Sequence, residues 1–543
     1  MTGPWSFAVG VFVSFALYVA VGNYAGARVK TLSDYYVSGR AAPTILVVGT
    51  LVASYLSTVC FMGEVGFSYQ GYLLPLLTLA IMSGAGYPVG SIYFGRYLRR
   101  SQALTVPEYF GKRFNSPLLR IIMGTITVVG IGCYLVAVNQ GLGLLLSELL
   151  GIPYRWALVI AFVVYGSFTF YAGSRGVIIT DTIMFLAFTL AALLVVPFIL
   201  SAAGGWHSAV ESLSRLPARP DILKWHGLTG EGAIWANPSD ALVWAFLIGV
   251  IWFLVVGTSP WQASRYQMAA SEHVVLRSGI VAMLAFSVMY LVLQFGAASV
   301  AVINPNVKPF ERVLIWASMN PSVVPTWLGV LTICAIFAAG LSSCSTFLSL
   351  VGFSLAYDIL PFVRRGQPAE ERFVLRVSRI CMGVVALIAM LLTLSPPPAI
   401  LWIAYFAATL FAASWGLLAF ASVHWPRVTR AGAIASVLLG SSGVVVMQAL
   451  KSFGRLSLPI YLDPTLVGIV LSAVGMVAGS LLTRPTPEEM DYRRGLLAPV
   501  ESVSASQWIT TRNYYLAGVA VGIVLVIGLY VFYYLPAALG LAG

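Results

Sequence analysis

The chain has 543 residues, of which 59% are hydrophobic and only 9% are charged, and its formal net charge is +12. A soluble domain carries roughly 25% charged residues, so this composition excludes a soluble fold of this length. About fourteen windows of roughly 20 apolar residues recur along the chain, each long enough to cross a hydrocarbon core of about 30 Å. The sequence therefore predicts an all-α membrane protein embedded in the lipid bilayer.

The first window lacks a basic leader and an obvious cleavage site, so it is predicted to be a retained helix rather than a signal peptide. In chain order, the predicted spans are 5–24, 43–67, 72–94, 121–146, 156–171, 177–202, 241–256, 280–303, 327–355, 382–394, 401–423, 431–450, 467–482 and 515–534.

The basic residues are distributed unevenly between the predicted loops. With the N-terminus outside, inner loops hold 23 of the 31 basic residues and outer loops hold 8, which is the positive-inside pattern. Arg265 falls in the inner loop after the seventh span. The charge therefore indicates a multi-pass protein of the inner (plasma) membrane with both termini extracellular or periplasmic. It does not indicate nucleic-acid binding.

The second span contains a small, polar stretch, residues 52–58, in an otherwise apolar helix. Backbone groups at membrane depth need partners, so a helix break there is expected only where it lines a cavity or packs on protein. Glu64 follows this stretch, and it either faces an outer vestibule or marks the helix end near the headgroups. In the sixth span, Asp181 is either a cation ligand on an exit path or a carboxylate that balances a helix N-terminus.

The seventh span ends at Gly257, Thr258, Ser259 and Pro260, and Gly257 and Pro260 are the predicted helix breakers. The second and seventh spans are five apart, as expected for the first helices of two inverted five-helix repeats. The alternative is that the hydroxyls bond their own helix and that Pro260 marks an ordinary helix end.

The ninth span has a row of hydroxyls, because Ser342, Ser345 and Thr346 are spaced i, i+3 and i+4. Together with the carbonyls of a broken helix, this row would form an all-oxygen cage for a hard cation. Hydroxyls that hold packed helices together are the alternative. The five cysteines and four histidines show no metal-ligand spacing, and no nucleophile–base pair converges on a span, so an enzyme is not predicted.

Four patches in sequence order resemble the sodium:solute symporter family. They are Ser-Asp-Tyr-Tyr-Val-Ser-Gly-Arg at 33–40, Thr-Val-Pro-Glu-Tyr-Phe at 105–110, the Gly-to-Asp stretch 173–181, and Arg-Tyr with a following Ala-Ala at 265–270. The resemblance implies a LeuT-like 5+5 inverted-repeat core over spans 2 to 11. The implied domains are an N-terminal helix (1–30), a first repeat (43–203), an extracellular loop (204–240), a second repeat (241–424) and C-terminal helices (431–543).

The resemblance also implies the site residues. One Na⁺ would be bound by backbone carbonyls of Ala53, Leu56 and Ala339 and by hydroxyls of Ser342 and Ser343. A second Na⁺ at Asp181, Ser345 and Thr346 matches one branch of the family. The substrate contacts would be Tyr55, Ser57, Thr58, Trp252, Val256, Thr258 and Trp261, although Trp252 and Trp261 could instead belong to an interfacial belt.

The implied function is Na⁺-coupled import of a small organic solute by alternating access. Proline carriers of the family have Asp where this chain has Tyr55, which disfavours proline, and residues 56–63 look more like the monocarboxylate and pantothenate branches. A carboxylate is therefore the expected solute, and an amino acid or a sugar is the alternative. A membrane sensor acting with a separate signalling partner is a second alternative, and a channel is disfavoured. The protein is expected to be a monomer, with an oligomer left open.

Overall fold

The computed structural model describes residues 5–26, 31–363, 370–395, 399–453, 459–498, 505–531 and 535. Within these ranges the fold is helical, and extended backbone pairs only in two isolated bridges. The helices are α1 Trp5–Gly26, α2 Leu32–Val37, α3 Thr44–Tyr55, α4 Val65–Phe67, α5 Leu73–Gly90, α6 Arg96–Arg100, α7 Val106–Arg113, α8 Pro117–Leu150, α9 Tyr154–Ala202, α10 Trp206–Ser214, α11 Pro238–Thr258, α12 Pro260–Met268, α13 Glu272–Ile303, α14 Val313–Met319, α15 Thr326–Phe353, α16 Leu360–Val363, α17 Glu371–Thr393, α18 Ile400–Phe411, α19 Leu417–His424, α20 Arg430–Phe453, α21 Pro464–Leu482, α22 Pro487–Leu497 and α23 Ala505–Leu529.

Wider π-helical turns continue several of these helices, and three short 3₁₀ turns link others. The π turns are Val59–Glu64, Ser68–Tyr72, Ser91–Gly95, Ser354–Ile359 and Ala412–Gly416, and the 3₁₀ turns are Ser38–Arg40, Phe310–Arg312 and Ile460–Leu462.

Twelve helical segments in the described ranges are long and apolar enough to cross a membrane, and two shorter apolar helices accompany them, Thr44–Tyr55 and Tyr154–Thr169. One long segment, Val59–Arg100, covers both the end of the second predicted span and the third. The exact number of fourteen crossings stays a prediction. The predicted boundaries at residues 30, 534 and 543 lie outside the described residues.

Helix α9 differs from the sequence prediction. Residues 172–176 were expected to form a loop between the fifth and sixth spans, but the helical backbone continues from Tyr154 to Ala202. Helix α9 covers both predicted spans. It is not one straight rod, because its first turn packs near the end of α8 and its last turns pack near the end of α13. A Cβ on Gly143 would lie 2.9 Å from Tyr154, and a Cβ on Gly296 would lie 2.6 Å from Val196. Glycine and serine have low helix propensity, but most of the stability of a helix in a protein comes from tertiary packing. Helix α9 packs on α1, α3, α8, α13 and α15.

Burial separates a central group of helices from a peripheral one. In Thr326–Val363, which contains α15, 83% of the apolar window is buried, against 72% in Pro238–Met268 and 11% in Ala505–Gly528. Exposed apolar side chains such as Phe12 and Leu392 cover the periphery, as expected for a surface that faces lipid tails. The segments with the predicted breaks and hydroxyls therefore belong to the protein interior.

An inner clasp joins the chain just before α3 to the chain just after α12, on the face that the charge pattern predicts to be cytoplasmic. The N–H of Ala42 donates to the carbonyl of Met268 at 3.1 Å, and the N–H of Ala270 donates to the carbonyl of Ala42 at 2.9 Å. Arg99 adds bonds to the carbonyls of Ala269 (2.6 Å) and Ala270 (3.1 Å). The clasp therefore ties together the inner ends of the two interrupted segments.

Candidate functional site

The first interruption lies between α3 and the helix that resumes after Thr58. The N–H of Leu56 still bonds to the carbonyl of Val52 at 3.0 Å, but Leu56 itself is extended, with φ −77° and ψ 93°. A helix leaves its last four carbonyls without an intrahelical partner, and here these belong to residues 53–56. Ala53 and Leu56 are fully buried, so water does not reach them. The interruption therefore presents buried backbone oxygens that include two of the predicted carbonyl ligands.

The second interruption lies between α11 and α12. Ser259 is extended, with φ −60° and ψ 154°, and Pro260 begins α12, where the missing N–H of proline costs no hydrogen bond. Close to this point, a Cβ added to Gly90 would lie 2.5 Å from the Cα of Gly257. The backbones of α5 and α11 therefore touch where α11 ends.

Asp181 joins three helices at the first interruption. Its Oδ2 accepts a bond from the hydroxyl of Thr50 on α3 at 2.6 Å, and its Oδ1 accepts one from Ser342 on α15 at 2.7 Å. Asp181 itself lies in the middle of α9 and is fully buried. It therefore does not balance a helix N-terminus, which corrects that alternative. The carboxylate holds α3 and α15 together one turn before the free carbonyls of α3.

Arg265 brings a positive charge to the same place. It was assigned to an inner loop, but it lies in α12 and only 3% of its surface is exposed. Its Nη2 is 3.7 Å from Oδ2 of Asp181, and it also donates a hydrogen bond to Thr346. The predicted seventh span ended at residue 256, and Arg265 lies beyond it in α12. The sequence therefore placed this arginine in a loop and gave no sign of its burial.

The hydroxyls along α15 have different surroundings. Ser345 donates to the carbonyl of Ser342 on its own helix at 2.8 Å, as the alternative of helix-bonded hydroxyls predicts. The Oγ of Ser343, in contrast, is buried and has no hydrogen-bond partner among the described residues. Ala339 is also fully buried, one turn before Ser343. An unpartnered oxygen beside a broken helix is a suitable donor for Na⁺, which prefers oxygen ligands.

An aromatic cluster lies between the two interruptions, formed by Tyr55, Tyr134, Trp252, Trp261 and Phe286. The ring of Tyr55 lies 4.9 Å from Trp252 and 4.6 Å from Phe286, and the ring of Tyr134 lies 6.3 Å from Trp252 and 5.6 Å from Trp261. Trp252 and Trp261 are each 1% exposed, so the alternative of an interfacial belt is wrong. The Nε1 of Trp252 is buried without a partner.

Three of the predicted substrate-contacting hydroxyls bond to backbone. Ser57 accepts a bond from the N–H of Val59 at 3.1 Å, which caps the resumed helix. Thr58 donates to the carbonyl of Val138 at 3.1 Å, and Thr258 donates to a carbonyl four residues earlier in α11 at 2.7 Å. These hydroxyls stabilise the two interruptions in the conformation observed.

Helix α5 forms one wall of the site. The hydroxyl of Tyr55 lies 3.3 Å from the hydroxyl of Ser83, within hydrogen-bond distance. Val256 packs against Gly86, since a Cβ added there would lie 2.9 Å from the Cβ of Val256. Tyr55 thus connects α5 with the aromatic cluster, whereas Val256 contributes to the packing of α11 on α5.

Sequence reasoning missed Ser83, Tyr134 and Phe286. Each lies in an ordinary apolar stretch of α5, α8 or α13 with no distinguishing spacing, so no local signal could have identified it. Glu64 was noticed, but it does not mark a helix end, because helical turns continue past it to Tyr72. It is 1% exposed and lies against Cys60 and Tyr290.

Comparison with known proteins agrees with this geometry. The chain matches the sodium:solute symporter family over residues 35–440. It is 25% identical over 511 residues to a sodium/proline symporter of Escherichia coli, covering 89% of this chain and 95% of that protein. It is 22% identical over 425 residues to a sodium/pantothenate symporter of Haemophilus influenzae, covering 77% of this chain and 85% of that protein.

Two solved structures have a similar fold. A Na⁺-coupled sialic acid symporter, in a substrate-bound outward-open state, superposes with a TM-score of 0.71 at 18% identity, covering 89% of this chain and 99% of that one. A nucleobase-cation-symport-1 family transporter superposes with a TM-score of 0.54 at 13% identity, covering 88% of this chain and 98% of that one. The fold is LeuT-like, and the protein is a transporter rather than an enzyme. Given the match over residues 35–440, the chain belongs to the sodium:solute symporter family and is a multi-pass, sodium-coupled membrane transporter of a small-molecule substrate.

Proposed function

We propose that the protein imports a small organic solute together with Na⁺ by alternating access, with the ion bound where α3 is interrupted. The Na⁺ ligands are the carbonyls of Ala53, Leu56 and Ala339 and the hydroxyls of Ser342 and Ser343. The observation that carries this proposal is the pairing of two kinds of unsatisfied oxygen, namely the last carbonyls of α3 and the Oγ of Ser343.

Binding of Na⁺ at this position would fasten α3 to α15 and fix the geometry of the aromatic cluster. The solute would lie between the two interruptions, in contact with Tyr55, Trp252 and Trp261. The helices that resume after the interruptions direct their N-termini, and thus positive partial charge, towards this space. A carboxylate on the solute fits those N-termini, as in the monocarboxylate or pantothenate class, with an amino acid or a sugar as the alternative class.

A second Na⁺ at Asp181, Ser345 and Thr346 needs a different arrangement of side chains from the one observed. Arg265 now bonds Thr346 and lies beside Asp181, and Ser345 bonds its own helix. Binding of that ion would require Arg265 to turn away. The arrangement observed favours one Na⁺ per cycle, and the ratio of ²²Na⁺ to solute taken up by proteoliposomes measures it.

Ser343→Ala tests the first site. A buried hydroxyl without a partner costs roughly 1–3 kcal/mol, so its removal should leave the Na⁺-free protein as stable as before or slightly more stable. The same change removes one Na⁺ ligand, so the Na⁺ concentration for half-maximal thermal stabilisation should rise about tenfold, equivalent to about 1.4 kcal/mol.

Ser349→Ala is the matched control, because the Ser349 hydroxyl bonds the carbonyl of Ser345 on the same helix at 2.7 Å. It should leave the Na⁺ dependence unchanged. An unaltered Na⁺ response in Ser343→Ala would contradict the site, and equal solute uptake in Na⁺ and K⁺ would contradict the symport itself.

A further inference from the structure

Glu64 is a buried carboxylate in the resumed half of the second span, two turns beyond the interruption. It is 1% exposed, and its Oε2 has no hydrogen-bond partner among the described residues. None of the ion pairs in the described part of the chain involves it. An ionised carboxylate within a membrane span is costly, so such residues are rare and commonly mark a functional site.

The surroundings of Glu64 suit an organic cation. Glu64 lies against the hydroxyl of Tyr290, whose ring is 5.2 Å from Phe286 in the aromatic cluster. Phe286 in turn contacts Tyr55 at 4.6 Å. Aromatic ring faces attract cations, most strongly where water is excluded. The route from the interruption to Glu64 is therefore aromatic and ends on a free carboxylate oxygen.

A cavity of about 560 Å³ lies on the face that the charge pattern predicts to be outer. Besides apolar residues and Lys451, its lining includes four aromatic and two acidic side chains, namely Trp235, Trp244, Trp402, Tyr405, Asp240 and Asp463. Phe67, one turn beyond Glu64, packs 5.6 Å from Trp244 and 6.0 Å from Trp402. The cavity and Glu64 thus lie along one side of the second span.

We infer that Glu64 binds a positively charged amine or ammonium group of the transported solute. This inference rests on the proposed function and specifies its substrate class. A solute with both charges would direct its carboxylate to the helix N-termini at the interruptions and its ammonium group to Glu64. A solute with only a carboxylate would leave Glu64 without a counter-charge.

The test measures thermal unfolding of the purified full-length protein against two matched series of probes. One series is butyrate, 4-aminobutyrate and butylamine, and the other is cyclopentanecarboxylate, pyrrolidine-2-carboxylate and pyrrolidine. In Na⁺, members with an amine should stabilise the protein at lower concentrations than the members that have only a carboxylate. Glu64→Gln should raise the half-maximal concentration of the amine members about tenfold or more, because it removes a charge-assisted hydrogen bond. It should leave the carboxylate-only members unaffected.

Two further variants make the result specific. Glu64→Asp keeps the charge and should retain most of the amine response, and Glu211→Gln, which removes an exposed carboxylate on α10, should behave as wild type. The inference fails if carboxylate-only probes bind as well as amines or if no amine binds. It also fails if Glu64→Asp and Glu64→Gln weaken the stabilisation by amine probes equally.

Stabilisation by Na⁺ alone separates this inference from the proposed function. It should persist in Glu64→Gln, which also shows that the variant folds. Loss of that Na⁺ response in Glu64→Gln would make Glu64 an ion ligand and overturn the inference. Absence of any Na⁺ response in the wild type would instead refute the proposed Na⁺ site.

Discussion

Asp181 and Arg265 form a buried ion pair, in which Asp181 is fully buried and Arg265 is 3% exposed. Removing one partner of such a pair leaves an uncompensated buried charge and costs roughly 3–5 kcal/mol, whereas removing both costs less. We therefore expect Asp181→Asn to lower the thermal unfolding midpoint more than the double variant Asp181→Asn/Arg265→Gln does. Additive losses in a double-mutant cycle would show that the two side chains do not interact.

The same residues show which features of the site could be predicted from the sequence and which could not. Asp181 stood out because ionisable residues are rare within spans, and residues 342–346 stood out because helical spacing aligns their hydroxyls. Asp181 on α9 and Arg265 on α12 are 84 positions apart in the sequence, and no local pattern encodes a contact between them. Ser343 entered through the family resemblance alone, and the lack of a partner for its hydroxyl is visible only in three dimensions.

At the scale of helices, the two interruptions could be located because each departs from its neighbours in composition. The small and polar residues at 52–58 interrupt an apolar stretch, and a proline at 260 removes a backbone hydrogen-bond donor that a continuous helix would need. The glycines and serine near residue 175 looked equally disruptive, yet α9 continues through them. Tertiary packing overrides weak helix propensity there, and composition does not report it.

Helices α5 and α11 approach each other through Gly90 and Gly257, which gives a prediction at this scale. A methyl group at Gly90 would lie 2.5 Å from the backbone of α11, so Gly90→Ala should force the helices apart and destabilise the protein by roughly 1–3 kcal/mol. Gly132→Ala in α8 is the control, since a Cβ there meets nothing within 4 Å. That substitution should be neutral or stabilising. Thermal unfolding of both variants decides whether close backbone contact, rather than loss of glycine itself, matters.

At the scale of the whole molecule, the inner clasp joins the two interrupted segments, and we expect it to close the transporter on the face predicted to be cytoplasmic. Arg99 strengthens it through two bonds to the chain after α12, so Arg99→Gln should shift the population towards a state open to the cytoplasm. Ser349→Cys, in a background without the five native cysteines, reports this opening, because Ser349 lines a cavity together with Ser264 and Met268 of α12.

We expect an impermeant maleimide to label that cysteine about tenfold faster in Arg99→Gln from the cytoplasmic side, equivalent to about 1.4 kcal/mol of population shift. Lys112→Gln, which removes a surface ion pair with Glu108, should leave the labelling rate unchanged. An unchanged rate in Arg99→Gln would mean that the clasp does not control access.

The Asp181–Arg265 pair adds no net charge to the site, because a carboxylate and a guanidinium cancel each other. Charges fixed to the protein also return to their starting positions in each cycle, so the net charge moved per cycle is that of the ion and the solute. One Na⁺ moving with a zwitterion transfers one charge, which gains about 2.3 kcal/mol per 100 mV, whereas one Na⁺ with a monoanion transfers none. Current across a planar bilayer would therefore distinguish the two kinds of solute by its presence or absence, before either is chemically identified.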